Sequence, residues 1–271
     1  SDLVVEACET AVAELAREVA AIDQDLAVII GHPARSTSGG GTRPFVNRAS
    51  VLRGGEIIAT YDKRLLPGYD VFDEDRYFST GEAVCVLELD GVKAGIVICE
   101  DLWRAQDVAD SAAERPRFAV DPVRETIDGG AELLLALSAS PFVMGKGARH
   151  HAHLAALARE HDVPVVLCNQ VGANDDLIFD GRSMVIGRDG SLRARLAAFE
   201  TEARIVTIDE AVDARETTAV QDEIEAELWR ALVLGVRDYC RKTGNDRALV
   251  GLSGGLDSSL VAVIAAAALG P

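Results

Sequence analysis

Residues 250–259 read Val-Gly-Leu-Ser-Gly-Gly-Leu-Asp-Ser-Ser and join an apolar run to a helical pattern through a glycine turn. The run 248–252 predicts a buried strand, and residues 258–269 predict a helix. A strand, a glycine turn and a helix N-terminus together form a site for an anion, because backbone N–H groups point at the ligand and the helix dipole favours negative charge. Gly254 and Gly255 let the backbone approach the ligand closely.

This loop lacks the Lys-Ser/Thr ending of the Walker A motif, so a phosphate loop of that kind is excluded. The simpler alternative is an ordinary glycine turn in which Asp257 is the N-cap of the helix.

Composition and charge narrow the class of protein. The chain has 271 residues, 48% of them hydrophobic, which is enough for a full core. Its net charge of -17 opposes nucleic-acid or anionic-membrane binding as the main role. The five cysteines are scattered without a CxxC pair, which indicates a reducing compartment, and we expect a cytoplasmic protein. No apolar run approaches the roughly 20 residues of a membrane span, and no signal peptide is expected.

Hydrophobic periodicity predicts strand hairpins interleaved with helices, and hence an α/β layered domain. Apolar residues at steps of three and four predict an opening helix from Val5 to Val19 and a later one from Ile224 to Thr243. Hairpins are predicted at 51–61, 84–98 and 183–190, further strands at 26–30, 133–137 and 163–168, a helix at 148–160, a surface loop at 36–42 and a polar excursion at 107–122. We divide the chain into a domain at 1–210, a linker at 211–222 and the start of a second domain at 223–271.

A second chemical centre is predicted at Cys99, which stands where the buried strand 96–98 ends. Such a position projects a side chain rigidly at the rim of a sheet, as a nucleophile elbow does, although a buried core cysteine is the alternative. Glu100 and Asp101 disfavour a thiolate, so a working nucleophile needs a nearby cation. Lys63, just after a strand, is the candidate, and a solvated surface lysine is its alternative.

Several stretches resemble the nitrilase, or carbon–nitrogen hydrolase, superfamily and, more closely, the family of glutamine-dependent NAD synthetases. The resemblance covers nearly the whole chain in family order, and two unrelated motif systems in one polypeptide are far more specific than either alone. The matching stretches are Lys63 with 69–78, 99–103, 138–142 with 145–146, 169–172 through 179–181, 232–251 and 253–258.

The resemblance implies a nitrilase-like αββα sandwich followed by the beginning of a Rossmann-like ATP pyrophosphatase domain. The family reaction converts deamido-NAD, ATP and L-glutamine to NAD, AMP, pyrophosphate and L-glutamate. ATP and magnesium are implied as cofactors, and a tunnel carries ammonia between the sites. Family members are commonly homo-oligomers, so we expect one here, with neither nucleic acid nor membrane as a partner.

The resemblance also assigns roles to individual residues. Cys99 forms a thioester, Lys63 and the N–H of Glu100 stabilise the oxyanion, and Glu74 is a second glutamate near the lysine. It places contacts to glutamine at Tyr69, Glu100, Ser140 and Lys146. It places the ATP pyrophosphate at Gly251, Ser253, Gly254, Gly255, Asp257 and Ser258.

These assignments have plainer alternatives. Tyr69 is otherwise a loop anchor, Ser140 a strand-end cap, and Lys146 and Glu74 surface charges. No metal site is predicted at the histidine cluster. His151 is adjacent to His150 and two residues from His153, so it shares a helix face with neither.

The chain departs from the family pattern at the general-base glutamate. None of the glutamates in the opening helix fits that role, and the expected position falls upstream of Ser1; they are Glu6, Glu9, Glu14 and Glu18. The excursion at 107–122 is also longer than the pattern predicts. We therefore expect a fragment of a longer polypeptide, with little or no glutaminase activity and no NAD synthesis of its own.

Three other functions remain open from the sequence. The first is a stand-alone amidase or nitrilase with an unrelated tail, which the loop at 253–258 opposes. The second is another glutamine amidotransferase, as in GMP or asparagine synthesis, which the region of Lys63 and Cys99 opposes. The third is an inactive scaffold that has lost the catalytic glutamate.

Overall fold

The structure is a computed structural model that describes residues 1–37, 43–103, 118–208 and 224–270. It contains two compact units. Unit 1 consists of Ser1–Leu137 and His161–Val166, and unit 2 of Ser138–Glu160 and Leu167–Pro271. The predicted linker at 211–222 and most of the predicted loop and excursion lie outside the described residues.

In its described residues, unit 1 contains two helices and six strands, with the beginning of a seventh. The helices are α1 (Asp2–Ile22) and α2 (Pro122–Asp128). The strands are β1 (Val28–Arg35), β2 (Phe45–Arg53), β3 (Glu56–Asp62), β4 (Cys85–Leu89), β5 (Val92–Ile98), β6 (Leu133–Ser138) and the start of β7 (Val165–Asn169).

The first three strands form an antiparallel sheet in sequence order, with Val28 opposite Leu52. Alternate residues of this sheet face opposite sides, because strand side chains have a period of two. On one side, Leu52 packs with Val12 and Ala16 of α1. On the other, Ala49, Val51 and Tyr61 pack against Ile96 and Ile98 of β5.

The second layer of strands has the order β4-β5-β6 in this unit, with β5 antiparallel to β4 and parallel to β6. Asp90 and Gly91 both have positive φ, which fits the type I′ hairpin that the sequence predicts. Helix α2 begins where Asp121 accepts a hydrogen bond from Arg124 N, and it covers the face of β5 that carries Gly95. Unit 1 therefore has helix, sheet, sheet and helix in succession, the predicted αββα order.

Where the chain of unit 2 is described, it forms three helices and four strands besides the end of β7. Its helices are α3 (Lys146–His161), α4 (Ile224–Thr243) and α5 (Leu256–Leu269). Its strands are β8 (Val171–Asn174), β9 (Leu177–Asp180), β10 (Met184–Ile186) and β11 (Leu192–Arg195). The end of β7 lies beside β10, which pairs with β11, while β8 and β9 form a separate hairpin.

Helix α4 packs against the β8–β9 hairpin and forms hydrogen bonds with it. Asp238, buried in α4, accepts a hydrogen bond from Ala173 N at 2.9 Å, and Lys242 donates to the oxygen of Ala173 at 2.5 Å. Leu234 of α4 packs with Phe199 in the same unit. The predicted helix is confirmed, but its predicted buried face is wrong. Leu228, Leu232 and Tyr239, whose spacing predicts the helix, are exposed, and the buried residues are instead Ala231, Leu234 and Asp238.

Most of the predicted elements are confirmed, with ends displaced by a few residues. The prediction of a buried strand at 248–252 is wrong. These residues have no regular structure, and Leu249 is fully exposed. A strand requires a hydrogen-bonded neighbour, and no described strand pairs with this segment. Across the described residues, no helix is both long and apolar enough to cross a membrane.

Gly95 offers a test of the packing between α2 and β5. A Cβ at this position would lie 2.3 Å from Cγ2 of Thr126 and 2.9 Å from Cβ of Ala131, both buried. We expect Gly95→Ala to lower the free energy of unfolding by about 1–3 kcal/mol through overpacking. Gly31→Ala is the matched control, since its nearest neighbour is Cδ2 of Leu137 at 3.8 Å. Urea unfolding of both variants measures the difference, and equal losses would contradict this packing.

His32 makes the stability of unit 1 depend on pH. Burial, with the charge of Arg48, lowers the pKa of His32 despite the opposing effects of its bond to the oxygen of Pro33 and of the charges of Glu9 and Asp62. The folded state therefore binds a proton less readily than the unfolded state, and this residue's contribution to stability falls as the pH drops below about 6.5.

We expect His32→Gln to reduce the loss of stability between pH 7.5 and pH 5. Urea unfolding at both values measures this, with His161→Gln as the control. An unchanged pH dependence in His32→Gln would contradict the role of His32.

Candidate active site

Cys99 begins a short 3₁₀ turn, Cys99–Leu102, directly after β5. Its backbone has φ of 47°, in the left-handed region that costs a residue with a Cβ about 1–2 kcal/mol. A sharp turn of this kind lifts the side chain from the end of the strand, and the thiol is only partly buried. The predicted position at the end of a strand is confirmed.

Lys63 follows the end of β3 and is 1% exposed. Its Nζ donates a hydrogen bond of 2.6 Å to Oε1 of Glu74, which begins the 3₁₀ turn Glu74–Arg76. Its backbone is held on both sides, because Lys63 N donates to the oxygen of Asn47 and Gly81 N donates to the oxygen of Lys63, each at 2.8 Å. The alternative of a solvated surface lysine is therefore wrong.

The charges around Lys63 keep its ammonium group protonated. Burial by itself lowers the pKa of Lys63, but the negative charges of Cys99 and Glu74 outweigh burial and raise the pKa above its usual value. Lys63 thus carries the positive charge that a nucleophile at Cys99 needs close by. The arrangement can stabilise a negative charge that develops close to the sulfur.

Glu100 and Tyr69 form a pair in this unit. Tyr69 OH lies 3.1 Å from Oε1 and 3.0 Å from Oε2 of Glu100, to which it donates. Glu100 is 4% exposed. A buried carboxylate held by a phenol can bind a cationic group such as an ammonium.

Asp101 is the third residue of the 3₁₀ turn that begins at Cys99, and it is 1% exposed. Burial raises the pKa of Asp101 to about 6, although hydrogen bonds from Ile98, Leu65 and Tyr61 and the charge of Lys63 act in the opposite direction. Burial and the neighbouring Asp101 also raise the pKa of Tyr61, which keeps its hydroxyl protonated as a donor.

Unit 2 holds the other two residues predicted to contact glutamine. Ser140 is buried, and its backbone N donates to Oδ1 of Asn169 at 3.1 Å. Lys146 donates from Nζ to the oxygen of Pro141 at 3.0 Å. Asn169 also donates from Nδ2 to the oxygen of Gly181 at 2.7 Å. One amide side chain thus ties together the segments 138–142 and 179–181.

The glycine loop before α5 has the predicted turn. Gly254 has φ of 86°, and Gly255 is the N-cap of α5. Oγ of Ser258 lies 3.1 Å from Oγ of Ser253 and 3.3 Å from Ser253 N. Asp257 is in the first turn of the helix. The predicted loop and helix N-terminus are therefore present, without the strand predicted before them.

Sequence reasoning gave no role to Asp101, Asn169 or Tyr61. Asp101 and Asn169 stand in the quoted motifs, and each lies at the end of a buried strand, which is the signal that could have identified them. Tyr61 is one of the largest side chains that are fully buried, and a buried phenol requires a partner. Within the part of the chain that is described, no group of three or more histidine, cysteine or acidic side chains is arranged to hold a metal ion.

Comparison with protein families finds two matches in succession. The model of the family Carbon-nitrogen hydrolase matches residues 9–216. The model of the family NAD synthase matches residues 228–271.

The curated relatives are longer than this chain. The glutamine-dependent NAD(+) synthetase of Xanthomonas campestris pv. campestris (strain 8004) is 40% identical over 97% of this chain and 44% of its own length. That of Synechocystis sp. is 39% identical over 90% of this chain and 44% of its own length. The chain thus spans less than half the length of these relatives.

Two kinds of solved structure are similar to this chain. A glutamine-dependent NAD+ synthetase from Acinetobacter baumannii, in complex with ADP, superposes with a TM-score of 0.81 at 30% identity, over 98% of this chain and 47% of that one. An amidase of the nitrilase superfamily from Nesterenkonia AN1 has a TM-score of 0.55 at 23% identity, over 71% of this chain and 63% of that one. The second likeness concerns the fold alone and agrees with the predicted nitrilase-like sandwich.

Glu74 offers a test of the charge balance around Lys63. Because the pKa of Lys63 is raised in the folded state, the ammonium group contributes to stability throughout neutral pH. This contribution is lost only as the pH rises through the pKa of Lys63 in the folded state. Glu74→Gln removes the carboxylate charge 2.6 Å from a buried ammonium, and we expect a loss of about 1–3 kcal/mol at pH 7.5. Urea unfolding measures it, with the exposed Glu82→Gln as control. Equal stability of the two variants would show that Glu74 does not compensate the charge of Lys63.

Proposed function

The chain belongs to the carbon–nitrogen hydrolase family, and we propose that it supplies the glutaminase of a glutamine-dependent NAD synthetase. The observation that carries this proposal is the buried Lys63–Glu74 pair coupled electrostatically to Cys99 at the end of a strand. The match to NAD synthase at 228–271 supports a second activity in the same polypeptide. The same match opposes a stand-alone amidase.

In the proposed reaction, the sulfur of Cys99 attacks the carboxamide carbon of L-glutamine. The tetrahedral oxyanion is stabilised by the ammonium of Lys63 and the backbone N–H of Glu100. The nitrogen leaves with a proton as ammonia, a thioester forms, and water then releases L-glutamate and restores the thiol. We assign the proton transfers to no residue of this chain.

Recognition of glutamine is proposed for four residues. The carboxylate of Glu100, held by Tyr69, is suited to the α-ammonium group of the substrate. Ser140 and Lys146 are proposed to contact the rest of the amino acid. These assignments follow the family resemblance.

The glycine loop of unit 2 is proposed to bind the pyrophosphate of ATP. Its backbone N–H groups at the start of α5 are suited to an anion, and Gly254 allows close approach. Magnesium is proposed to arrive with the phosphates, which usually supply several of its ligands. The contributing residues are Gly251, Ser253, Gly254, Gly255, Asp257 and Ser258.

At this site deamido-NAD is proposed to be adenylated by ATP and then to react with ammonia, giving NAD, AMP and pyrophosphate. We place the reaction in the cytoplasm, which the five free cysteines support. A homo-oligomer is proposed from the family resemblance.

Replacing the nucleophile separates the two activities. In the full-length protein, we expect Cys99→Ala to abolish NAD formation from glutamine and to leave NAD formation from added ammonium chloride unchanged. Cys168→Ala, at an exposed cysteine, is the matched control and should leave both rates unchanged. Assays of NAD and of glutamate release measure this. If Cys99→Ala also abolished the ammonia-dependent rate while remaining folded, the two-site proposal would be wrong.

A further inference from the structure

The side chain of Asp101 accepts four hydrogen bonds in unit 1. Oδ2 accepts from Ile98 N at 3.0 Å and from Tyr61 OH at 2.8 Å. Oδ1 accepts from Arg64 N at 3.1 Å and from Leu65 N at 2.8 Å. Its residue is 1% exposed, so these bonds are shielded from water.

These four donors belong to the two chain segments that carry the reacting groups. Ile98 immediately precedes Cys99, and Arg64 immediately follows Lys63. Leu65 and Arg64 are 36 and 37 residues away from Asp101 along the chain. A single carboxylate therefore links the backbone beside the thiol to the backbone beside the ammonium.

An ionised aspartate suits this position better than an asparagine or a glutamate would. Each carboxylate oxygen accepts two hydrogen bonds, so four donors use its whole capacity. An asparagine has one oxygen, and its NH₂ group would face two of the donors. A glutamate would add a methylene group to a side chain that is only 1% exposed, and overpacking of a buried site is destabilising.

The bond to Ile98 N also bears on the turn at Cys99, whose positive φ persists only if the surrounding structure holds it. Catalysis by an oriented nucleophile and an oxyanion donor depends on their separation, and a displacement of about 1 Å can cost about 100-fold in rate. We propose that Asp101 is the positioning residue that sets the separation between the Cys99 thiol and the Lys63 ammonium. This inference rests on the proposed roles of Cys99 and Lys63.

The test compares Asp101→Asn and Tyr61→Phe in the full-length protein. We expect Asp101→Asn to lower kcat for glutamine hydrolysis about 100-fold while KM changes little, because the substrate contacts are at other residues. Tyr61→Phe removes one of the four donors and should lower kcat by a smaller factor, about three- to tenfold. Asp176→Asn, at an exposed aspartate, is the matched control and should have the wild-type kcat.

A second measurement does not depend on the substrate. The rate at which iodoacetamide alkylates Cys99, followed by peptide mass spectrometry, should fall in both variants, while alkylation of the exposed Cys168 stays constant. A merely stabilising Asp101 would leave the Cys99 rate of the folded variant unchanged. If Asp101→Asn does not fold, Tyr61→Phe decides.

A wild-type kcat and a wild-type alkylation rate in a folded variant would overturn the positioning role. A raised KM at constant kcat would also overturn it. If the wild type itself hydrolyses no glutamine, the proposed function fails, and the alkylation rates still decide whether Asp101 positions the thiol relative to Lys63.

Discussion

A positive charge is buried at Lys63, and the surrounding part of unit 1 must compensate it. Taking an ammonium group out of water costs several kcal/mol unless anionic partners lie close by. Glu74 provides one such partner at 2.6 Å, and the charge of Asp101 acts on the same ammonium group. The requirement for charge balance thus brings the site together before any substrate enters it.

The layered sheets provide the positions for these charges. Strand β3 ends one residue before Lys63, and β5 ends one residue before Cys99. The inner faces of both strands share one apolar cluster, in which Tyr61 packs near Ile96 and Ile98. Because that cluster is close-packed, small shifts of either strand are resisted, and the two strand ends keep their separation. The core therefore bears on the proposed catalysis by fixing the positions of Lys63 and Cys99.

The sequence predicted those features that depend on local chemistry. The turn at Asp90 and Gly91 and the existence of helix α4 follow from short-range rules, and the place of Cys99 follows from the end of an apolar run. Which face of α4 is buried does not follow from its apolar spacing, because Leu228 and Leu232 are exposed. The four bonds of Asp101 could not be predicted, since its partners lie up to 40 residues away along the chain and follow no periodic pattern. The strand predicted at 248–252 failed for a related reason, because an apolar run becomes a strand only where another strand pairs with it.

Gly81 is restricted to glycine by its contacts with the backbone next to Lys63, although it has no proposed chemical role. Its N–H holds the carbonyl of Lys63, and a Cβ at this position would lie 2.0 Å from the backbone oxygen of Asp62. Any side chain would therefore displace the lysine without touching a ligand. If related sequences always have glycine at this position, the reason would be the lack of space for a Cβ. Its closeness to Lys63 in the structure would not by itself indicate a chemical role.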